Sequence, residues 1–243
     1  MLEKDTLRSI IRDKNFELHY LEVLNGRFTS GSIQIETDDI YDEYNQALMY
    51  DNNLVALKYL LNKNEPLRID IIHRIAKIID EDKNDKGFRN TNINVLGSNI
   101  ERARPNEIYQ KMYSLLDCYY NIWSYNEDII WKEAMFHLNF LLIHPYDDGN
   151  GRTARIITTA NLLQQGILPG VITLKDKKEY CDIIERQDAD ALAELFKRLT
   201  IKEELIFATM YEHYIKYYTI NNSHNVKEDE LNSKRVRIIQ RKS

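Results

Sequence analysis

The chain has 243 residues, 43% hydrophobic and 29% charged, enough apolar content for a full core in one compact domain. A formal net charge of -5 and a pI near 5.8 give no overall electrostatic reason to bind nucleic-acid phosphates or an anionic membrane. No stretch approaches the roughly 18 apolar residues that span a bilayer. The N-terminus MLEKDTLRSIIRDKNF has no apolar signal region, and Cys118 and Cys181 supply neither a disulfide framework nor a Cys-ligated metal site, so the expectation is a cytoplasmic chain.

Only eight glycines and four prolines interrupt the sequence, and apolar residues recur at three- and four-residue spacing between them. The fold expected is mostly α. The pattern predicts helices over 39–50, 54–61, 67–82, 105–124, 129–143, 151–165, 177–186 and 189–218, with Pro66 and Pro105 at helix starts, where proline is tolerated. One segment departs from this period: FRNTNINVLGSN, residues 88–99, alternates Ile93 and Val95 with polar neighbours and then reaches Gly97, the signature of a short β-hairpin. Residues 221–243 turn polar and then basic, which reads as a solvated helix or frayed terminus rather than a nucleic-acid arm. The expected organisation is an N-terminal segment over 1–50, a helical core over 51–220 and a tail.

The chemistry concentrates in LLIHPYDDGNGRTAR, residues 141–155, where an apolar helix stops at His144-Pro145 and another begins near Gly151. A Gly149-Asn150-Gly151 turn ahead of a helix can point several backbone N–H groups into one concavity, where the helix dipole also favours an anion. Arg152 and Arg155, three apart, can face the same side and offer planar forks to phosphate oxygens. A carboxylate beside such a cradle needs a cation between, which assigns Asp148 to Mg2+. His144, with an ordinary pKa near ~6.5, is the general-base candidate. A lone histidine at a helix end is commonly a cap or core residue. The convergence of base, carboxylate, glycines, amide and arginines within twelve positions favours a reactive site.

HPYDDGNGRTAR resembles the Fic family motif His-x-Phe-x-(Asp/Glu)-Gly-Asn-Gly-Arg-x-x-Arg, departing in Tyr146 for Phe. RNTNINVLG resembles the family's β-hairpin flap, and His137, seven residues ahead of His144, suits the helix before the loop. The resemblance implies a Fic-type helical core with a short flap and a protein adenylyltransferase. His144 would deprotonate a Ser, Thr or Tyr hydroxyl of a target protein for attack on the α-phosphate of ATP. Asp148 would hold Mg2+, Asn150 would steady the α-phosphate, Gly149, Gly151 and Arg152 would bind the phosphate chain, and Arg155 the γ-phosphate. Asn94, Val95, Leu96 and Gly97 would align the target by β-augmentation. Tyr180 is assigned to the base pocket, with a core position as the alternative. Glycine at 151, where Doc-type relatives that phosphorylate their target carry Lys, favours AMP transfer.

Ser32-Ile-Gln-Ile-Glu36-Thr37 resembles the family's inhibitory motif, (Ser/Thr)-x-x-x-Glu-(Gly/Asn), with Thr37 in place of Gly or Asn. By that resemblance Glu36 would pair with Arg155 and restrain the enzyme in cis. The family is also compatible with a homodimer. Removal of AMP from a modified protein, transfer of UMP or another phosphate-containing group, and nucleotide-regulated binding are the alternative activities for the same residues.

Overall fold

A computed structural model describes the backbone of residues 14–36, 43–63 and 65–239, with side chains described within 15–35, 43–63 and 65–217. Nine α-helices form among them: α1 Lys14–Glu36, α2 Glu43–Asn62, α3 Ile69–Ile79, α4 Glu81–Asn84, α5 Pro105–Asp117, α6 Ile129–Ile143, α7 Asn150–Gln164, α8 Leu174–Glu185 and α9 Ala189–Ile239. The mostly helical expectation holds. Among the described residues none forms a strand, and no helix is long and apolar enough to cross a membrane.

α7 is the central post. It packs on α2, α3 and α6, and its residues are buried almost continuously from Arg152 to Ala160. A helix surrounded in this way shows little amphipathic period, because every face meets a neighbour. α3 is the opposite case: Ile71, Ile72, Ile75, Ala76 and Ile79 make one inward stripe. α6 is started by Asp128, whose carboxylate accepts from the Trp131 N–H at 3.0 Å. Pro105 opens α5 as expected, whereas α3 begins three residues after Pro66. The two helices expected over 39–50 and 54–61 are one, because Asp51, Asn52 and Asn53 continue the turn and Asn53 finds a buried partner in the Thr29 hydroxyl at 3.0 Å. The part of that expectation before residue 43 lies outside the described residues.

α1 is a full helix where the sequence pointed only to its last turn. Phe16, Tyr20 and Leu24 pack with Leu168, Val171 and Phe207 in a cluster separate from the main core. The Phe16 and Phe207 rings meet edge to face at 5.3 Å. Each such side chain contributes roughly 1.5–3 kcal/mol of burial. An ion pair adds direction: Arg27 donates to both Glu203 carboxylate oxygens at 2.7 and 2.5 Å, and the Tyr20 hydroxyl donates to the same group at 2.9 Å. The approach is close at Gly31, where a Cβ would stand 2.2 Å from the Ile172 carbonyl oxygen.

Beyond α5 the chain widens into a π turn over Cys118–Ile122 and a 3-10 turn over Trp123–Tyr125. Tyr119 of the π turn donates to buried Glu133 at 2.5 Å, and Asn161 donates to the other Glu133 oxygen at 2.9 Å. Burial is the main cause that pushes the Glu133 carboxyl up to about 7, against the hydrogen bonds from Tyr119 and Asn161 and the charge of Lys132. A carboxyl raised above its unfolded value stabilises the fold at low pH and loses that contribution between about pH 4.5 and 7. The span corresponds to on the order of 3 kcal/mol. Glu133→Gln is therefore expected to gain on the wild type in urea unfolding as pH rises from 5 to 8. A constant difference across that range would refute the assignment.

Candidate active site

α6 ends on His144 in the left-handed region, φ 52 and ψ 63, with its N–H on the Phe140 carbonyl at 2.9 Å. Pro145 cannot continue the helix, so the chain turns out here. Tyr146 then drops back into the core, fully buried, and its hydroxyl lies 2.9 Å from His73 Nδ1. That partner satisfies the hydroxyl that the family's phenylalanine lacks.

Asn150 braces the turn from inside. Its carboxamide oxygen accepts from the Tyr146 N–H at 2.9 Å and its nitrogen donates to the Tyr146 carbonyl at 2.8 Å. Gly149, at φ 71, precedes the first residue of α7, and a Cβ there would come 3.0 Å from Ile79 Cγ2. Gly151 lies in the first turn of α7, where N–H groups have no intrahelical partners. The glycine turn thus leads straight into the start of α7, with the Gly149 N–H donating to Asp148 Oδ1 at 2.6 Å.

Arg152 is buried, and its Nη2 lies 3.5 Å from Asp148 and 3.7 Å from Asp80. Asp80 was not foreseen. It sits between α3 and α4, 68 positions before Asp148, and no local spacing links the two. Burial first, and the neighbouring Asp148 second, push its carboxyl above the ordinary range. The two carboxylates and Arg152 line one side of a cavity of about 620 Å³ between α2 and the α3–α4 junction. A larger cavity of about 790 Å³ touches none of the loop residues from His144 to Arg155. Among the described residues no group of three His, Cys, Asp or Glu side chains forms a complete metal cage. A half-buried and an exposed carboxylate without nitrogen or sulfur donors do suit Mg2+, which commonly takes one or two carboxylates and completes its shell with phosphate and water oxygens.

Arg155 points to α1. Its Nε donates to the Ser32 hydroxyl at 3.1 Å, with both residues buried. A space of about 20 Å³, room for no more than one water, remains beside Arg155 and is closed by Phe28 of α1. Glu36 ends α1, but its side chain and all of Thr37 lie outside the described residues.

Burial is the largest cause that depresses the His144 imidazole to about 4; the charges of Arg102 and Arg89 add to it, and the Leu141 carbonyl and Asp148 oppose it. The side chain is neutral at physiological pH and can take a proton. His137 is deeper still: its Nε2 is 2.7 Å from the Tyr180 hydroxyl and its Nδ1 3.2 Å from Thr158. Burial, then the charge of Arg155, lowers it to about 3. Tyr180 itself is 4% exposed, and its hydroxyl joins this interior network.

The expected β-hairpin at 88–99 does not form a ladder. Residues 92–95 take no regular secondary structure, Ile93 and Val95 are half-buried while Asn92 and Asn94 are exposed, and the Ser98 N–H closes a turn on the Val95 carbonyl at 3.1 Å with Gly97 at φ 78. The period-2 signal corresponds only to the alternating exposure of 92–95, and the segment after the turn bonds elsewhere. Glu185 at the end of α8 accepts from the Ser98 hydroxyl at 2.8 Å and the Asn99 N–H at 2.7 Å. Leu96 at the tip is fully exposed.

Residues 66–162, from just before α3 to near the end of α7, match the Fic/DOC family. The protein adenylyltransferase Fic of Nematostella vectensis is 29% identical over 154 residues, covering 59% of this chain and 34% of that protein. The chain thus spans about a third of that relative's length. A Fic domain containing signaling protein from Bacteroides thetaiotaomicron has the same fold, with a TM-score of 0.68 at 18% identity over 86% of this chain and 97% of that one. A variant of IbpAFic2 solved in complex with adenylylated Cdc42 aligns with a TM-score of 0.57 at 17% identity, covering 75% of this chain and 63% of the other.

Proposed function

Because residues 66–162 form a Fic/DOC family domain, we propose that the chain is a protein adenylyltransferase that moves AMP from ATP onto a Ser, Thr or Tyr hydroxyl of a target protein. The observation that carries this reading is a neutral His144 held at the edge of a helix-start anion cradle that also presents Arg152. His144 takes the hydroxyl proton as the target oxygen bonds to the α-phosphorus, and the bond from that phosphorus to the pyrophosphate oxygen breaks. Gly149, Gly151 and Arg152 hold the phosphate chain, and Asn150 fixes the loop around the α-phosphate. Asp148, with Asp80 across Arg152, would hold Mg2+, which would neutralise charge on the phosphates. Asn94 and Val95, with the turn at Leu96 and Gly97, would align the target backbone.

Restraint by α1 belongs to the same proposal. Ser32 already occupies Arg155, and Glu36, one turn further along α1, would add a carboxylate to the guanidinium that otherwise seats the γ-phosphate. Intact-mass measurement after incubation with ATP and Mg2+ tests both parts. A gain of one AMP mass by self-modification, larger in Glu36→Gly than in the wild type, is expected. No nucleotide gain in either protein would overturn the transferase reading, a gain from UTP alone would replace AMP with UMP, and equal gains would remove the restraint.

A further inference from the structure

Beside the flap lies Arg89, a buried guanidinium whose four side-chain hydrogen bonds all go to backbone carbonyls. Nε donates to the His144 carbonyl at 2.7 Å, Nη1 to Thr91 at 2.6 Å and Nη2 to Ala103 at 2.5 Å, with Ile143 at 3.4 Å from the same nitrogen. Its own N–H donates to the Pro145 carbonyl at 3.0 Å. One residue therefore binds three consecutive carbonyls where α6 gives way to the loop, and also the carbonyls of Thr91 and Ala103, which lie on either side of the flap residues 94–97. Burying a guanidinium among neutral carbonyls is costly unless its donors are satisfied, and the fixed fork of arginine meets several acceptors at once where lysine cannot.

We propose that Arg89 is a positioning residue for AMP transfer: it locks the His144 backbone in its left-handed turn and fixes the flap to that same turn, so that base and target edge keep one relative geometry. Arg102 reinforces the frame, donating to the Leu141 carbonyl at 3.2 Å and the Ser98 hydroxyl at 2.9 Å. The same two arginines are the positive charges acting on the imidazole, with Asp148 the negative one. The inference rests on the transferase reading for its catalytic consequence but not for the clamp itself.

Two substitutions separate position from charge. Arg89→Lys keeps a positive charge and loses the fork. It should slow pyrophosphate release and self-modification by on the order of 100-fold, leave the KM for ATP within about threefold, and leave the acid limb of the pH profile in place. Arg89→Gln should slow the reaction similarly and shift that limb towards higher pH. Wild-type rates in Arg89→Lys would overturn the proposal, as would equal limbs with unchanged rates in both variants. Hydrogen exchange on the unmodified chain stands if neither variant folds. The Arg89 Nε–H and the Asn99 and Ile100 amides, which have acceptors, should exchange together and slowly, and a flap opening much faster than the Arg89 proton would refute the clamp. If neither the wild type nor Glu36→Gly moves AMP, the transferase reading falls while the exchange result still judges Arg89.

Discussion

Replacing His144 with Ala is expected to reduce AMP transfer by about 10²–10⁴-fold, the usual worth of a positioned general base. The affinity for ATP should stay within a few-fold, because the proposed phosphate cradle is built from Gly149, Asn150, Gly151 and Arg152 rather than from the imidazole. His144 sits at φ 52, a backbone conformation alanine adopts at a cost of roughly 1–2 kcal/mol, whereas asparagine enters it readily. His144→Asn is therefore the cleaner companion, and both should lose the reaction alike. The pH dependence follows from the depressed imidazole. The base form persists down to about pH 4, so the acid limb of kcat/KM for the wild type should fall near there instead of near 6.5. Transfer at the wild-type rate by His144→Asn would remove the histidine from the chemistry.

Arg27→Ala carries the second large effect. It strands the Glu203 carboxylate, 2% exposed, with the Tyr20 hydroxyl as its remaining hydrogen-bond donor. Breaking a fully buried pair costs about 3–5 kcal/mol. Arg27 is 30% exposed, so solvent screening brings the expectation to about 2–3 kcal/mol. For a chain of this size that is a fall in Tm on the order of 5–10 °C by calorimetry. The surface pair Lys178–Asp182, with Lys178 91% exposed, is the control, and Lys178→Ala should move Tm by no more than about a degree or two. Because the latch holds α1 to α9, the same substitution should raise self-modification if α1 restrains the site. Lost stability without a gain in transfer would separate the latch from regulation.

The loop from His144 to Arg155 could be read from sequence because its parts are adjacent: a helix stop, two glycines and two arginines fall within twelve residues. The buried stripe of α3 and the start of α5 at Pro105 were visible for the same local reason. What escaped depends on partners far along the chain. Asp80 matters only because α3 ends beside α7, and Arg89 only because Pro145 and Ala103 come to it. The length of α1 was hidden by Gly26, Gly31 and scattered charges, which weaken the helical period, while its tertiary contacts with α8 and α9 hold it in place. The flap alternated like a hairpin, yet Ser98 and Asn99 turned to Glu185, a choice no short-range pattern encodes.

The pairing of Tyr146 with His73 has a bearing on moving this loop between scaffolds. A fully buried hydroxyl left without a partner costs roughly 1–3 kcal/mol. A graft of residues 144–155 into a recipient with an apolar side chain opposite would inherit that debt, whereas the Tyr146→Phe form would travel without it. The portable unit is therefore the loop together with one imidazole from α3.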